Sequence, residues 1–403
     1  MPKKILTLLI LGSFLLIWAC GGGSGSDDDP GSTIKIGALQ PLSGDGGPID
    51  GTAVQAAAEA ALADMGHKAP GTDINIEIIY KDSQYQLEVM MAAVEELEAE
   101  GVRAIVSATT SENLQVVKDT AARAGLPMID ITSTSPRLAI DDNLFRYIPD
   151  DTLTSAAISQ RMVQQGVKRL AIVYRSDIWG RDLASALQSH FQVQQMKSQR
   201  GTVILYAAYD ARLPLLDIPT VAAELNDKIS AAIAQGAPDE TAVALISFEE
   251  GVEFLREAAQ YPALARVDWY GSDGMGGNKE LLTNAEAAGL AAKVGLFCPI
   301  VGNSGKPSFT RVQNQIEQEI GYTPFNDALL MYDAVTAAAT TLGSLGDGSS
   351  MEDFKTRLYQ VTEEMDAITG HIRLNAAGDR ESCPYDFWRV SVHDGVYNWV
   401  NAN

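Results

Sequence analysis

Two hydroxyl-rich stretches, "VSATTSENLQ" at 106–115 and "PMIDITSTSPRL" at 127–138, sit where β-like runs end and are the first places to look for chemistry. Ser111 falls at the N-cap of a helical pattern that begins with Glu112, Asn113 and Leu114, where unpaired backbone N–H groups carry partial positive charge. Either Ser111 caps that helix, or its hydroxyl donates beside Thr109 and Thr110 to make a seat for a carboxylate. Thr132, Ser133, Thr134 and Ser135 end the next strand, and neither hydroxyl cluster contains a lysine or arginine. Adjacent parallel strands bring their carboxyl ends together, so the two loops suit a small monoanion held by neutral dipoles. Three later loops offer the opposite chemistry. "RSDIWG" places Trp179 at a loop-to-helix junction, "ISFEEG" places Phe248 and Glu249 likewise, and "WYGSDGMGG" places Asp273 among glycines. An aromatic wall with one carboxylate suits an apolar group bearing an ammonium. The plainer alternatives are core packing for Trp179 and Phe248 and a turn for Asp273.

Other chemistries fit poorly. The glycine-rich "QPLSGDGGPIDGT" gives Gly46 and Gly51 the spacing of a phosphate-binding loop, but Thr52 stands where the lysine belongs, and Asp45 and Asp50 repel phosphate. Ile49 breaks the dinucleotide pattern begun by Gly44 and Gly46. His67, His190, His371 and His393 have no metal-site spacing, and no GxSxG elbow occurs. No metal and no cofactor are expected, and an enzyme is not expected. A formal charge of −22 opposes binding to nucleic acid.

The elements that must position these residues alternate. β-like runs at 34–39, 74–80, 103–108 and 127–131 are separated by helical patterns at 48–65, 86–101 and 111–125. A second series has helices at 152–165, 180–193, 218–235 and 250–260 between strands at 169–174, 202–207, 242–247 and 267–272. This is the pattern of parallel sheets covered on both faces, and 403 residues suffice for two cores. After "VGLFCPIV", helices at 307–320, 326–344 and 351–365 follow without strands and read as covers for the first unit. The chain then crosses between lobes three times, near 145–149, 297–302 and 368–374. The expected division is lobe 1 at 34–146 plus 300–369 and lobe 2 at 147–299 plus 370–403, with a hinged cleft at the strand carboxyl ends.

The amino terminus reads as an export signal: Lys3 and Lys4, the apolar run "ILTLLILGSFLLIW", then Ala19 and Cys20. This run of fourteen residues is too short for a membrane span. "LIWAC" resembles a bacterial lipobox, which implies a signal peptide at 1–19, a lipid on Cys20 and an acidic, glycine-rich tether at 20–33. The alternative is a cleaved secretory signal with an incidental cysteine. Cys298 and Cys383 are the other cysteines, and in an exported chain a disulfide between them is expected, a free pair being the alternative.

Taken in order, "IKIGALQPLSG", "KDSQ", "GVRAIVSATTSENL", "AGLPMIDITSTSPRL", "LAIVYRSDIWGRDL", "WYGSDGMGG" and "ALLMYDAV" resemble the leucine/isoleucine/valine-binding branch of the type I periplasmic binding proteins, over residues 34 to 400. The resemblance implies two Rossmann-like lobes of parallel sheet joined by a three-strand hinge, serving as a solute receptor of an ABC importer. It implies that Ser111 binds a ligand α-carboxylate, that Ser133 and Thr134 complete the grip, that Asp273 pairs with the α-ammonium, and that Trp179 and Phe248 line the pocket. Ile49 stands where amino-acid binders often carry a tyrosine, Asp50 where glycine is common, and Asp273 is one methylene shorter than the family glutamate. The segment 206–240 is longer than usual. The implied protein is a lipid-anchored monomer that captures a branched-chain or other small amino acid and presents it to a membrane permease. The rivals are a sensor of the same fold without transport, and a hydrolase of small amides.

Overall fold

The computed structural model describes residues 32–43, 49–198, 201–236 and 238–402, with the side chains of 195–198 set aside. The expected signal peptide at 1–19, Cys20, most of the expected tether, and Gly44 and Gly46 lie outside the described residues.

The first series of runs makes strands β1 (Thr33–Gln40), β2 (Asn75–Asp82), β3 (Ala104–Ser107), β4 (Met128–Asp130) and β5 (Leu144–Arg146), with helices α1 (Gly51–Asp64), α2 (Leu87–Ala99) and α3 (Ser111–Arg123) between them. They pair in the order β2-β1-β3-β4-β5, every pair parallel. β3 is buried along its whole length, as a strand covered on both faces must be. Asp50 starts α1 by accepting from the Ala53 N–H at 3.2 Å.

The second series adds α4 (Asp151–Gln164), β6 (Arg169–Arg175), α5 (Ile178–Ser198), β7 (Thr202–Tyr209), α6 (Pro214–Ala234), β8 (Thr241–Ile246), α7 (Gly251–Ala258) and β9 (Asp268–Gly271). Its sheet is parallel in the order β7-β6-β8-β9. The long segment before residue 240 extends α6, which starts at Pro214 and runs on through Pro219. Helices α8 (Lys279–Thr283) and α9 (Ala285–Val294) follow, and α9 stops at Gly295, which turns left-handed with φ 62°.

Next come β10 (Cys298–Val301), helices α10 (Pro307–Ile320), α11 (Leu330–Gly343) and α12 (Met351–Glu364), and strands β11 (Tyr385–His393) and β12 (Val396–Asn401). A reciprocal capping box of Ser350 and Asp353 opens α12. Phe309 and Ile316 of α10, Leu330 and Leu342 of α11, and Phe354 and Leu358 of α12 pack into one core with Ile36 of β1 and Ala57 of α1. β10, β11 and β12 form a separate antiparallel sheet. No helix among the described residues is long and apolar enough to cross a membrane.

Two expectations are corrected. Ile372 and Leu374 pack in the first core, and Arg146 bridges to Asp379 at the edge of the first sheet, so the third crossing falls beyond residue 380 rather than at 368–374. Cys298 and Cys383 are both free thiols. The register of β10 against β11 pairs Cys298 with Trp388 and Val301 with Tyr385, which sets Cys383 opposite position 303. Five residues of extended chain span roughly 16 Å, well beyond the ~7 Å that a disulfide bridges. Cys298 instead packs in the second core, and Cys383 against the first. Alkylation of the unfolded, unreduced protein is therefore expected to label both thiols; an unlabelled pair that reacts only after reduction would contradict this register.

Candidate functional site

Most of the elements that feed the cleft do so from a strand's carboxyl end or from a hinge segment. The loop after β3 contributes Thr109, Thr110 and Ser111, and the loop after β4 contributes Thr132. Trp179 follows β6, Phe248 follows β8, and Asp273, Gly274 and Gly276 follow β9. Ile148, Ile300, Val301 and Tyr385 come from the crossings, and Ile49 and Asp327 close the first-lobe side. Together they enclose a cavity of about 70 Å³. A second cavity of about 350 Å³ shares Ile49, Thr132, Gly274, Gly276 and Asp327 with the first and opens outward from it.

The first-lobe wall is a set of dipoles. Thr110, not Ser111, is the N-cap of α3, and no side chain caps it; the first helical bond runs from the Leu114 N–H to the Thr110 carbonyl at 2.9 Å. The N–H groups of the first turn thus open toward the cavity that Thr110 and Ser111 line. Ser111 Oγ accepts from the Ser135 N–H at 3.2 Å. The two hydroxyl loops are stitched together by Thr132, whose Oγ1 accepts from the Thr109 N–H and donates to the Thr109 carbonyl, both at 2.8 Å.

Ser133 and Thr134, expected to complete the grip, do not line the cavity. The buried Asp130 carboxylate accepts the N–H groups of Thr132 at 3.0 Å and Ser133 at 2.7 Å, and this turn points Thr132 at the cleft while Ser133 Oγ turns back to the Thr109 carbonyl at 2.8 Å. Thr134 Oγ1 accepts from Trp179 Nε1 at 3.0 Å, one of the bonds that hold the lobes together. Two more are Ser135 Oγ to Asp182 at 2.6 Å and Arg137 Nε to Asp182 at 2.9 Å, and Lys279 reaches Asp50 at 3.3 Å. The lobes are closed on each other.

The second-lobe wall is aromatic and acidic. Trp179 and Phe248 stack with ring centroids 4.4 Å apart and 19° between planes. The Arg175 guanidinium covers Phe248 from behind, 3.8 Å from its centroid. Gly274 allows this approach: a Cβ there would stand 2.5 Å from Phe248. Gly277, at φ +79°, packs as closely on the Phe325 ring. Asp273 Oδ1 is sealed from solvent and meets no donor. Burial pushes its carboxyl up to about 6, with the Asp327 charge adding to the effect. Asp151, at the start of α4, is fully buried; burial, reinforced by the Asp273 charge, raises its carboxyl well above the usual range.

Of the residues expected at the site, Ser111, Trp179, Phe248, Asp273 and Ile49 share one cavity, and Ser133 and Thr134 stand behind it. Three participants went unread in the sequence. Asp327 arrives from the returning helices of the first lobe, where nothing local marks it. Asp151 was signalled only by the acid pair in "IPDDT". Tyr85 holds Ile49 in place: its hydroxyl accepts from the Ile49 N–H at 3.0 Å and donates to the Ile49 carbonyl at 2.7 Å. It does so from consecutive left-handed residues, Gln84 at φ 48° and Tyr85 at φ 56°, a strained pair at the edge of the cleft.

The closed pair of sheets around a cleft is matched among known proteins. An uncharacterised protein of Methanocaldococcus jannaschii is 23% identical over 93% of this chain and 93% of its own length. A structure of an ABC transporter substrate-binding protein from Desulfitobacterium hafniense, in complex with leucine, superposes with a TM-score of 0.69 at 20% identity, covering 92% of this chain and 100% of that one. A solute-binding protein of an R. palustris ABC transporter, in complex with benzoate, superposes with a TM-score of 0.70 at 16% identity, covering 92% and 96%. The two-lobed α/β fold with parallel sheets is that of the type I periplasmic binding proteins. The family described as receptor family ligand binding region matches residues 52–392, and the chain belongs to that family.

Proposed function

We propose that this protein is an extracytoplasmic solute receptor that captures an α-amino acid between its lobes and delivers it to an ABC permease. The observation that carries the reading is the opposition of the uncapped α3 start and the sealed Asp273 carboxylate across one cavity. The first suits a carboxylate and the second an ammonium. The Trp179–Phe248 stack gives the carbon between them an apolar face. Leucine and benzoate, the ligands in the two superposed structures, have a carboxylate in common, which agrees with an anion seat on the shared scaffold. No bond of the ligand is broken in this role; closure alone buries it. Export by residues 1–19, a lipid on Cys20 and a tether to residue 33 would hold a monomeric receptor at the membrane.

The test is a thermal-shift screen of the purified protein against amino acids, each beside the amine lacking its carboxylate and the acid lacking its amine. Stabilisation by intact amino acids well above either truncated form is expected, since a ligand that binds only the folded state raises its melting temperature. An amine that stabilises as strongly as its parent amino acid would remove the carboxylate seat.

A further inference from the structure

A zwitterion would leave the charge of this cleft unbalanced. Asp273 and Asp327 line the inner cavity, and Asp327 and Glu249, with Asp50 and the exposed Glu280, line the outer one. Among the described residues, the inner wall has no lysine, arginine or histidine. Lys279, the cation on the outer wall, is paired with Asp50 and lies over the Tyr322 ring, 3.4 Å from its centroid. The arginines nearby are committed elsewhere: Arg175 to Asp177 and Glu250, and Arg146 to Asp379. Among the described residues, Asp273, Asp327 and Glu249 form no ion pair. Asp327 accepts from the Ala328 N–H at 3.0 Å, and Asp273 Oδ1 meets no donor among the described residues.

Carboxylates taken out of water without a cation are costly, and the cost is removed by whatever brings the missing charge. A neutral amino acid supplies one positive and one negative group. Its carboxylate is met by the α3 dipoles and its ammonium by Asp273, leaving Asp327 and Glu249 as they were. Burial already holds Glu249 up to about 7 and raises Asp327, as expected of acids waiting for a partner. The outer cavity also offers Ile49, Ala53, Val54 and Ala328, an apolar track for a methylene stem beneath a charged end.

Resting on the amino-acid reading above, we propose that the ligand is a basic α-amino acid, with its α-ammonium at Asp273 and its side-chain cation in the outer cavity against Asp327 and Glu249. Lysine or arginine meets this description; leucine and benzoate do not.

Calorimetric titration of the intact protein with lysine, arginine, norleucine and cadaverine tests it. Norleucine keeps an unbranched stem and lacks the terminal cation, while cadaverine keeps both amines and lacks the carboxylate. The expected result is lysine or arginine bound at least about tenfold tighter than norleucine, one order of magnitude being about 1.4 kcal/mol. Asp327→Asn and, separately, Glu249→Gln should each shrink that advantage, weakening the basic ligands more than norleucine. Norleucine bound as tightly as both basic amino acids, or basic-ligand affinity unmoved by both substitutions, overturns the inference while the amino-acid reading stands. No binding by any of the four also overturns the inference and leaves the amino-acid reading to the thermal-shift screen, whereas cadaverine bound as tightly as lysine overturns both.

Discussion

Replacing Asp273 by Asn is expected to weaken amino-acid binding by about 2–5 kcal/mol, the range for removing one partner of a buried charge pair, and at the same time to stabilise the empty protein at neutral pH. The two effects share a cause. Oδ1 of Asp273 has no solvent and no donor, and burial lifts the group from 3.8 to about 6. A carboxyl whose native pKa lies above its unfolded value binds its proton more tightly when folded, so its favourable share of stability is complete at low pH and is lost as pH rises through about 6. The asparagine variant escapes that loss. The melting temperatures of variant and parent should therefore converge below pH 4 and separate above 6. Affinity runs the other way. An ammonium needs the ionised acid, so binding to the parent should fall about tenfold per pH unit below pH 6, and binding to the variant should stay flat. Calorimetric titrations at several pH values, with melting curves of both proteins without ligand, check both halves. Unchanged affinity in the variant would exclude Asp273 as the cation's partner.

The second large effect is structural. Arg146 and Asp379 form a bidentate ion pair with distances of 2.6 and 2.7 Å and side chains that are 0% and 2% exposed. The same guanidinium donates to the carbonyls of Ser133 at 3.2 Å and Ser135 at 2.8 Å, so it props the hydroxyl loop behind Thr132. Asp379→Ala would leave a buried cation without its counter-charge and is expected to cost about 3–5 kcal/mol. The paired change of Arg146→Met with Asp379→Leu should cost less, because no charge is stranded. Denaturant unfolding of the two variants measures this, and an Asp379→Ala cost under 1 kcal/mol would show the pair to be idle. Loss of ligand affinity should accompany Asp379→Ala, since Arg146 anchors the loop that carries Thr132 into the cavity.

How far these features could be read in advance depends on whether the cause is local. Both parallel sheets followed from periodicity, and α10, α11 and α12 showed themselves as covers by having no strands between them. Asp273 and Ser111 were readable because a strand's carboxyl end is a fixed address. Which hydroxyl after β4 faces the cleft was not, since that depends on Asp130 accepting two successive N–H groups and rotating the loop by a residue. Asp327 was invisible because it reaches the cavity only through a chain that leaves the first lobe and returns. The β-like "GHIRLN" suggested a crossing strand, yet Leu374 pairs only with Arg380 in a single bridge and stays with the first core. Counting cysteines in a chain read as exported suggested a bond that the β10–β11 register forbids.

The interrupted course of the backbone has a bearing on synthesis. The first core requires Ile34 and also Leu374, and the second counts Val390 among its members. A nascent chain emerging from the ribosome therefore completes its first core only once Leu374 has been made and its second only once Val390 has, so neither lobe can finish folding before the other has been almost wholly synthesised.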